Sequence, residues 1–340
     1  MISLGIESTA HTFGIGIIDD NPVASQSSLS ALQHSVVKGK VYSNARDIYK
    51  PEAGGIHPSK ARDHHKAVAE AILQKALDDA KLKLSDIDII SYSAGPGISP
   101  CLAVGLDFAK KLSEKTGKPL VPVNHCLAHV EIGKLMTGAK DPLVLYVSGG
   151  NSQIIGFSGG KYRVFGETLD IAIGNAVDKF ARETGIPFPG GPEVEKLARG
   201  GKYIPLPYTV KGMDFSFSGL CTDVIRKFES KKFDLKDLCF SFQETAFAML
   251  AEVTERALAH TEKNTLLLTG GVAANKRLAE MLSIMCKERG AEFFAVPREF
   301  AGDNGAMIAW TGILAYKNKG NQKIPEPNIN PKWRIDQVEF

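Results

Sequence analysis

Apolar positions alternate in short runs, switch to helical spacing, and then repeat the figure. Ile2, Leu4 and Ile6 alternate, Ser8 to Thr12 form a polar turn, and Gly14 to Ile18 return. Two such runs around a polar turn predict a hairpin, one fit to face phosphate. From Pro142 the figure recurs: Leu143 to Val147 as a strand, Ser148-Gly149-Gly150-Asn151-Ser152 as a turn, and Gln153 to Phe157 as a second strand. The echo is architectural, because the residues themselves do not repeat. Between the two hairpins, Val68, Ile72, Leu73 and Leu77 mark a helix over His64 to Ala80. Asp86 to Ser93 reads as a buried strand ended by Gly95-Pro96-Gly97, followed by a helix over Cys101 to Lys115, a strand over Leu120 to Val123 and a helix over His125 to Met136. Asn124 stands where that last helix needs an N-cap. Later come a long helix, Asp237 to Thr261, a strand over Leu266 to Leu268 entering Thr269-Gly270-Gly271, and a helix over Asn275 to Arg289. A strand over Phe293 to Val296, a turn over Gly302 to Gly305 and a helix over Ala306 to Lys317 complete the series. Gly185 to Phe217, with several Gly and Pro residues, reads as an irregular insertion, and the segment from Gly320 reads as extended.

Strands alternating with helices predict an α/β fold. A chain of 340 residues exceeds one ordinary core and predicts two related lobes. The expected division is 1–141 for the first lobe, 142–320 for the second with a helical and irregular insertion at about 160–260, and 321–340 for an extended tail. Hydrophobic residues at 44% can fill both cores. The net charge of +3 permits an RNA partner without demanding one, since Lys and Arg are spread in short groups such as Lys110-Lys111 and Lys231-Lys232 rather than in a basic tail. Five cysteines without a C-x-x-C pair argue against a disulfide framework and a cysteine zinc site. With no leader pattern and no apolar run of about 20 residues, the expectation is a cytoplasmic protein that does not engage a membrane.

The chemistry begins at His125-Cys126-Leu127-Ala128-His129. Residues four apart on a helix share a face, their Cβ atoms about 5–6 Å apart, so two imidazoles can hold one metal. Taken alone, that spacing is also found on ordinary helices. The zinc-protease pattern needs Glu after the first His as its base, and Cys126 stands there instead. Asp303, between Gly302 and Asn304-Gly305, is either a distant third ligand or an ordinary turn Asp. Ser148-Gly149-Gly150 and Thr269-Gly270-Gly271 each follow a strand with unhindered amides beside small hydroxyls, and such nests suit phosphate or ribose oxygens. Together with the polar first turn they point to a nucleotide cleft between lobes.

Seven segments, in order over nearly the whole chain, resemble the archaeal and eukaryotic members of the tRNA threonylcarbamoyl-adenosine enzyme family. They are Gly5-Ile6-Glu7-Ser8-Thr9-Ala10-His11-Thr12, Asn124-His125-Cys126-Leu127-Ala128-His129-Val130-Glu131, Tyr146-Val147-Ser148-Gly149-Gly150-Asn151, Phe165-Gly166-Glu167-Thr168-Leu169-Asp170, Phe188-Pro189-Gly190-Gly191-Pro192, Ser216-Phe217-Ser218-Gly219-Leu220 and Gly270-Gly271-Val272-Ala273-Ala274-Asn275. The resemblance implies an actin/hsp70/sugar-kinase-like fold with two lobes around a nucleotide cleft. It implies one metal ion, iron or zinc, on His125, His129 and Asp303, with Tyr146 as a further or conditional ligand. It implies adenine-nucleotide contacts (ATP, AMP or threonylcarbamoyl-AMP) from Tyr146, Val147, Ser148, Gly149, Gly150, Asp178, Gly191, Glu195 and Asn275. On residue type alone Tyr146 is a strand aromatic, and Asp178 and Glu195 are helix carboxylates. One departure from bacterial members is His11, where they carry Asp; it weakens the expectation of kinase-like, magnesium-dependent ATP hydrolysis.

The activity so implied is transfer of threonylcarbamoyl from its adenylate to the exocyclic amine of the adenosine beside the anticodon, in tRNAs that read codons beginning with A. AMP is a good leaving group, so no protein nucleophile is required, and no side chain is assigned as nucleophile or base. Relatives of this branch work in a KEOPS-type complex with a small atypical protein kinase and small accessory proteins. The competing readings are a metalloprotease, a small-molecule kinase or carbamoyltransferase of the same fold, and a non-enzymatic nucleotide- or DNA-binding scaffold.

Overall fold

The structure, a computed structural model, describes residues 1–22, 38–51, 55–320 and 326–339. The chain forms two compact units, one made of Met1–Gly138 with Asp303–Phe340 and the other of Ala139–Gly302. In the first, β1 (Ile2–Glu7), β2 (Thr12–Pro22) and β3 (Lys38–Ile48) run antiparallel. After α1 (Pro58–Ala80) comes β4 (Ile89–Gly95), then α2 (Ser99–Thr116), β5 (Leu120–Asn124) and α3 (His125–Thr137). β4 lies parallel to β1, and β5 parallel to β4, giving the order β3-β2-β1-β4-β5.

The second unit repeats this wiring. β6 (Leu143–Val147), β7 (Ser152–Ser158) and β8 (Lys161–Glu167) are antiparallel. There follow α4 (Ile173–Glu183), α5 (Gly190–Leu197), a ribbon of β9 (Val210–Lys211) and β10 (Asp214–Phe215), α6 (Ser218–Glu229) and α7 (Leu235–Thr261). β11 (Thr265–Thr269), α8 (Lys276–Arg289), β12 (Glu292–Ala295) and α9 (Arg298–Ala301) complete it. β11 lies parallel to β6 and β12 parallel to β11, so the order is β12-β11-β6-β7-β8. Each sheet is an antiparallel meander of three strands with two parallel strands added beside its first, and the echo read from the two hairpins is a repeat of topology.

The chain returns to the first unit at Asp303 and forms α10 (Gly305–Lys319). Successive side chains of a strand face opposite sides of a sheet. Leu4 and Ile6 join the core formed with Ile72 and Leu73 of α1 and Leu106 and Leu112 of α2. Gly5, between them, faces α10, where an added Cβ would sit 2.1 Å from the Ala309 nitrogen. The absence of a side chain is what lets α10 lie on the sheet. In the second unit Leu143, Leu145 and Val147 of β6 join a core with α4 and α7, where Phe180 and Phe242 stack at 5.1 Å. The compact units are discontinuous in sequence, because α10 packs on the first sheet. Of the expected extended tail, 321–325 and 340 lie outside the described residues. Residues 326–339 are without regular structure apart from a 3-10 turn at Ile335–Gln337.

Several elements differ from expectation. α1 begins earlier than His64, at Pro58, where a fixed φ suits a first helical turn. A 3-10 turn over Leu84–Asp86 delays β4 to Ile89. The segment from Gly185 to Phe217 contains α5 and the β9–β10 ribbon as well as irregular backbone. No helix among the described residues is long and apolar enough to cross a membrane.

Candidate metal centre and nucleotide-binding turns

α3 is set by its cap. The Asn124 side chain accepts from the Leu127 amide at 3.0 Å, so the first helical residue is His125, and His129 falls one turn later on the same face. The two imidazoles meet edge to face, centroids 4.8 Å apart at 85°. Asp303 immediately precedes the N-cap of α10, Asn304, whose side chain accepts from Met307 N. Arg46 of β3 donates to the Asp303 carbonyl at 3.2 Å. The Asp303 Oδ1 then lies 3.3 Å from His129 Nε2 and 3.6 Å from His125 Nε2.

A tetrahedral ion with bonds of about 2.0–2.1 Å sets its donors roughly 3.3 Å apart. The ligand atoms of His125, His129 and Asp303 all lie within 4.8 Å of one another, with both histidines buried. Distances, donor types and burial therefore fit a metal ion on these three residues. Tyr146, the conditional fourth ligand, is buried in β6 and belongs to the second unit.

The electrostatics follow from burial and charge. Burial opposes a charge on His125, but the Glu7 carboxylate at 3.0 Å, with Asp303 behind it, outweighs burial and lifts its pKa to about 9. Burial prevails at His129 and lowers it. Burial would raise Asp303, yet the hydrogen bond from His129 and the charges of His125, His129 and His11 hold it well below the ordinary carboxylate range. Glu7 received no role from the sequence. It is fully buried at the end of β1, one oxygen on His125 Nδ1 and the other accepting from the Thr9 amide at 2.7 Å and the Thr9 hydroxyl. The available signal was an ionisable side chain closing an apolar strand.

In the second unit the glycine turns lie side by side at the ends of the parallel strands β6 and β11, where Tyr146 pairs with Thr269. Ser148 N donates to Asn151 O, and the Gly174 amide in the first turn of α4 donates to Ser148 O. Gly149 and Gly150 are exposed at the tip. Gly270 has φ +95° and packs on the Val147 carbonyl. Asp178 of α4 accepts from Gly190 N at the start of α5 at 2.9 Å. Glu195 of α5 accepts from Lys276 N at the start of α8 at 3.1 Å. Asn275 caps α8, accepting from Arg277 N and Leu278 N, and donates to Gln243 Oε1 at 3.1 Å. Contacts thus run from the Ser148 turn through α4, α5 and α8, with Ser148 at a strand end, Gly191 and Asn275 at helix starts, and Asp178 and Glu195 within helices. Asp178 and Glu195 each hold a helix amide, a role their residue type alone did not suggest.

The chain's α/β fold finds a counterpart in the phosphate- and nucleotide-bound full-length HypF crystal structure. That likeness has TM-score 0.62 at 11% identity over 94% of this chain and 47% of the other, and it defines the fold class as actin/hsp70/sugar-kinase-like. Residues 37–310 match the family TsaD, tRNA N6-adenosine threonylcarbamoyltransferase. A Thermococcus kodakarensis protein, tRNA N6-adenosine threonylcarbamoyltransferase, is 53% identical over all of this chain and 99% of its own length. A Methanobrevibacter smithii protein, probable bifunctional tRNA threonylcarbamoyladenosine biosynthesis protein, is 48% identical over all of this chain and 60% of its own. The chain belongs to the TsaD family.

Proposed function

We infer that this chain transfers the threonylcarbamoyl group from threonylcarbamoyl-AMP to the exocyclic amine of the adenosine 3'-adjacent to the anticodon, in tRNAs reading codons that begin with A, and releases AMP. The observation that carries the reading is end-to-end identity of 53% to a relative of that name. The convergence of His125, His129 and Asp303 supports a catalytic form of it. In the reaction the adenine amine forms a bond to the carbamoyl carbon, the bond from that carbon to the AMP phosphate oxygen breaks, and the amine proton leaves. His125, His129 and Asp303, with Tyr146 as a conditional fourth ligand, would hold an iron or zinc ion, which would supply Lewis acidity.

The turn from Tyr146 to Gly150 and the backbone at Gly270 offer amides to the adenylate phosphate, and Asp178, Gly191, Glu195 and Asn275 complete the nucleotide contacts. Charge forming on AMP as it departs is stabilised by such fixed donors. Orientation of the weak amine nucleophile against the carbonyl supplies up to about 7–11 kcal/mol in ideal systems. The bifunctional name of the Methanobrevibacter relative supports a partner activity close at hand; the reading is a KEOPS-type complex with a small atypical kinase and accessory proteins, working in the cytoplasm. Against a metalloprotease, the position its base would occupy holds Cys126, a buried thiol.

The test supplies labelled threonine, an enzyme that generates the adenylate, partner subunits, metal and unmodified A-codon tRNA. Label is expected in tRNA with the wild type and not with His125→Ala at equal folded content. Absence of label with wild type in a tRNA-competent complex rejects the reading, and full activity of His125→Ala rejects the metal's part in it.

A further inference from the structure

Glu7 is buried, and both of its carboxylate oxygens are taken from different sides. Oε2 lies 3.0 Å from His125 Nδ1. Oε1 accepts from the amide and the hydroxyl of Thr9, two residues on, and Thr9 Oγ1 itself lies 3.4 Å from His125 Nδ1. The other ring nitrogen, Nε2, is the one that faces Asp303. An imidazole can offer a lone pair to a metal at one nitrogen only if its proton resides on the other. We propose that Glu7 is a positioning residue for the metal centre: by accepting from Nδ1–H it fixes His125 in the form whose Nε2 lone pair points at the ion, and Thr9 fixes Glu7. The inference rests on the metal reading above.

The chemistry requires a carboxylate here rather than any polar group. Glutamine has the same shape but one acceptor and one donor end. If its oxygen takes the Thr9 amide, its NH2 faces His125 Nδ1; the proton moves to Nε2 and the lone pair for the metal is lost. If the oxygen turns to His125, the NH2 meets the Thr9 N–H, donor against donor, in a buried site. Neither orientation satisfies both partners while His125 is a ligand. Partners that orient ligating histidines are typically worth about 10–100-fold in metal affinity.

The test uses Co(II) alone as probe, on the full chain, with affinity taken from competition against a chromophoric chelator and coordination from the d–d absorption of the Co(II) complex. Glu7→Gln is expected to bind Co(II) about 10–100-fold more weakly than wild type, with an altered d–d spectrum. A general packing role would lower the unfolding midpoint of the metal-free protein and leave the spectrum unchanged. Equal affinity and an identical spectrum in Glu7→Gln overturn the proposal. If wild type itself takes up no Co(II) while His125→Ala behaves identically, the metal reading fails, and this inference falls with it for a separate and visible reason. Should Glu7→Gln not fold, Glu7→Asp keeps the charge but shortens the reach; an unchanged affinity there overturns the proposal, and weakened binding supports it.

Discussion

Asn124 joins the start of α3 to the segment around Trp333: its Nδ2 donates to the Trp333 carbonyl at 3.0 Å while its Oδ1 caps α3 through Leu127 N. The terminal segment is held at further points. Asn330 N donates to Ala94 O at 2.7 Å, Gly97 N to Pro331 O at 3.2 Å, and Tyr92 OH to Asn328 O at 3.0 Å. It therefore lies as a strap over the ends of β4 and β5, against the residue that sets the position of His125. Asn124→Ala removes the cap and the tether together and is expected to lower stability by about 1–2 kcal/mol. Asn124→Ser restores the cap but not the reach to Trp333, so an intermediate urea midpoint is expected. If all three proteins unfold at the same urea concentration, the strap does not bear on α3.

At the second glycine turn, Gly270 has φ +95°, and an added Cβ would lie 2.2 Å from the Val147 carbonyl and 3.1 Å from Tyr146 Cδ2. An alanine there both strains the backbone and pushes on the strand end that leads into Ser148. Gly270→Ala is expected to weaken AMP binding about tenfold or more, a loss of about 1.4 kcal/mol. Calorimetric titration well below the unfolding temperature would measure it, and unchanged affinity would separate this turn from the nucleotide.

The core elements were legible because their patterns are local. β6 is found at its expected bounds, Leu143 to Val147, and the cap Asn124 lies where side-chain chemistry placed it, whereas Asn275, read as the first residue of a helix, is the N-cap of α8. The edge strands β3 and β8 were not read. Each borders the sheet on one side only and carries charged residues, such as Arg46 and Asp47 or Lys161 and Arg163, that blur an apolar alternation. α5 was hidden for another reason: its first amide is satisfied by Asp178, twelve residues earlier in the chain, and no local signal announces that. At the metal centre His125 and His129 were visible as a pair, whereas Asp303 depended on the family resemblance, since 174 residues separate it from His129. Glu7 carried only the weak signal of an ionisable side chain closing an apolar strand, because the ring it faces is 118 residues away.

His65 provides a pH effect on stability that does not involve the metal. It is buried in α1 against Phe13, ring centroids 5.5 Å apart. Burial, with the nearby His64, lowers its pKa from the ordinary 6.5 to about 4. The folded state thus binds fewer protons than the unfolded state between those values, and stability rises with pH across that window. Its contribution is fully present above about pH 7 and is lost as the pH falls toward 4, up to about 3 kcal/mol. Urea midpoints at pH 7, 6 and 5 should fall more steeply for wild type than for His65→Phe. Parallel slopes would show that His65 is not the group responsible.

Metal binding should carry a defined proton count. Without metal, His125 holds its second proton up to a pKa of about 9, whereas burial lowers His129 and the histidine charges lower Asp303. At pH 7 the proton on His125 Nε2 is then the one an incoming ion must displace, since His129 is already neutral and Asp303 already ionised. Close to one proton per ion should appear when zinc is added to weakly buffered protein at pH 7. Because protons compete with metal at that nitrogen, apparent affinity is expected to rise about tenfold per pH unit from 7 toward 9 and then level off. Chelator competition across that range checks the slope. A release of two protons would mean that His129 is also charged, and a flat profile would mean that the Glu7 carboxylate does not hold the His125 proton.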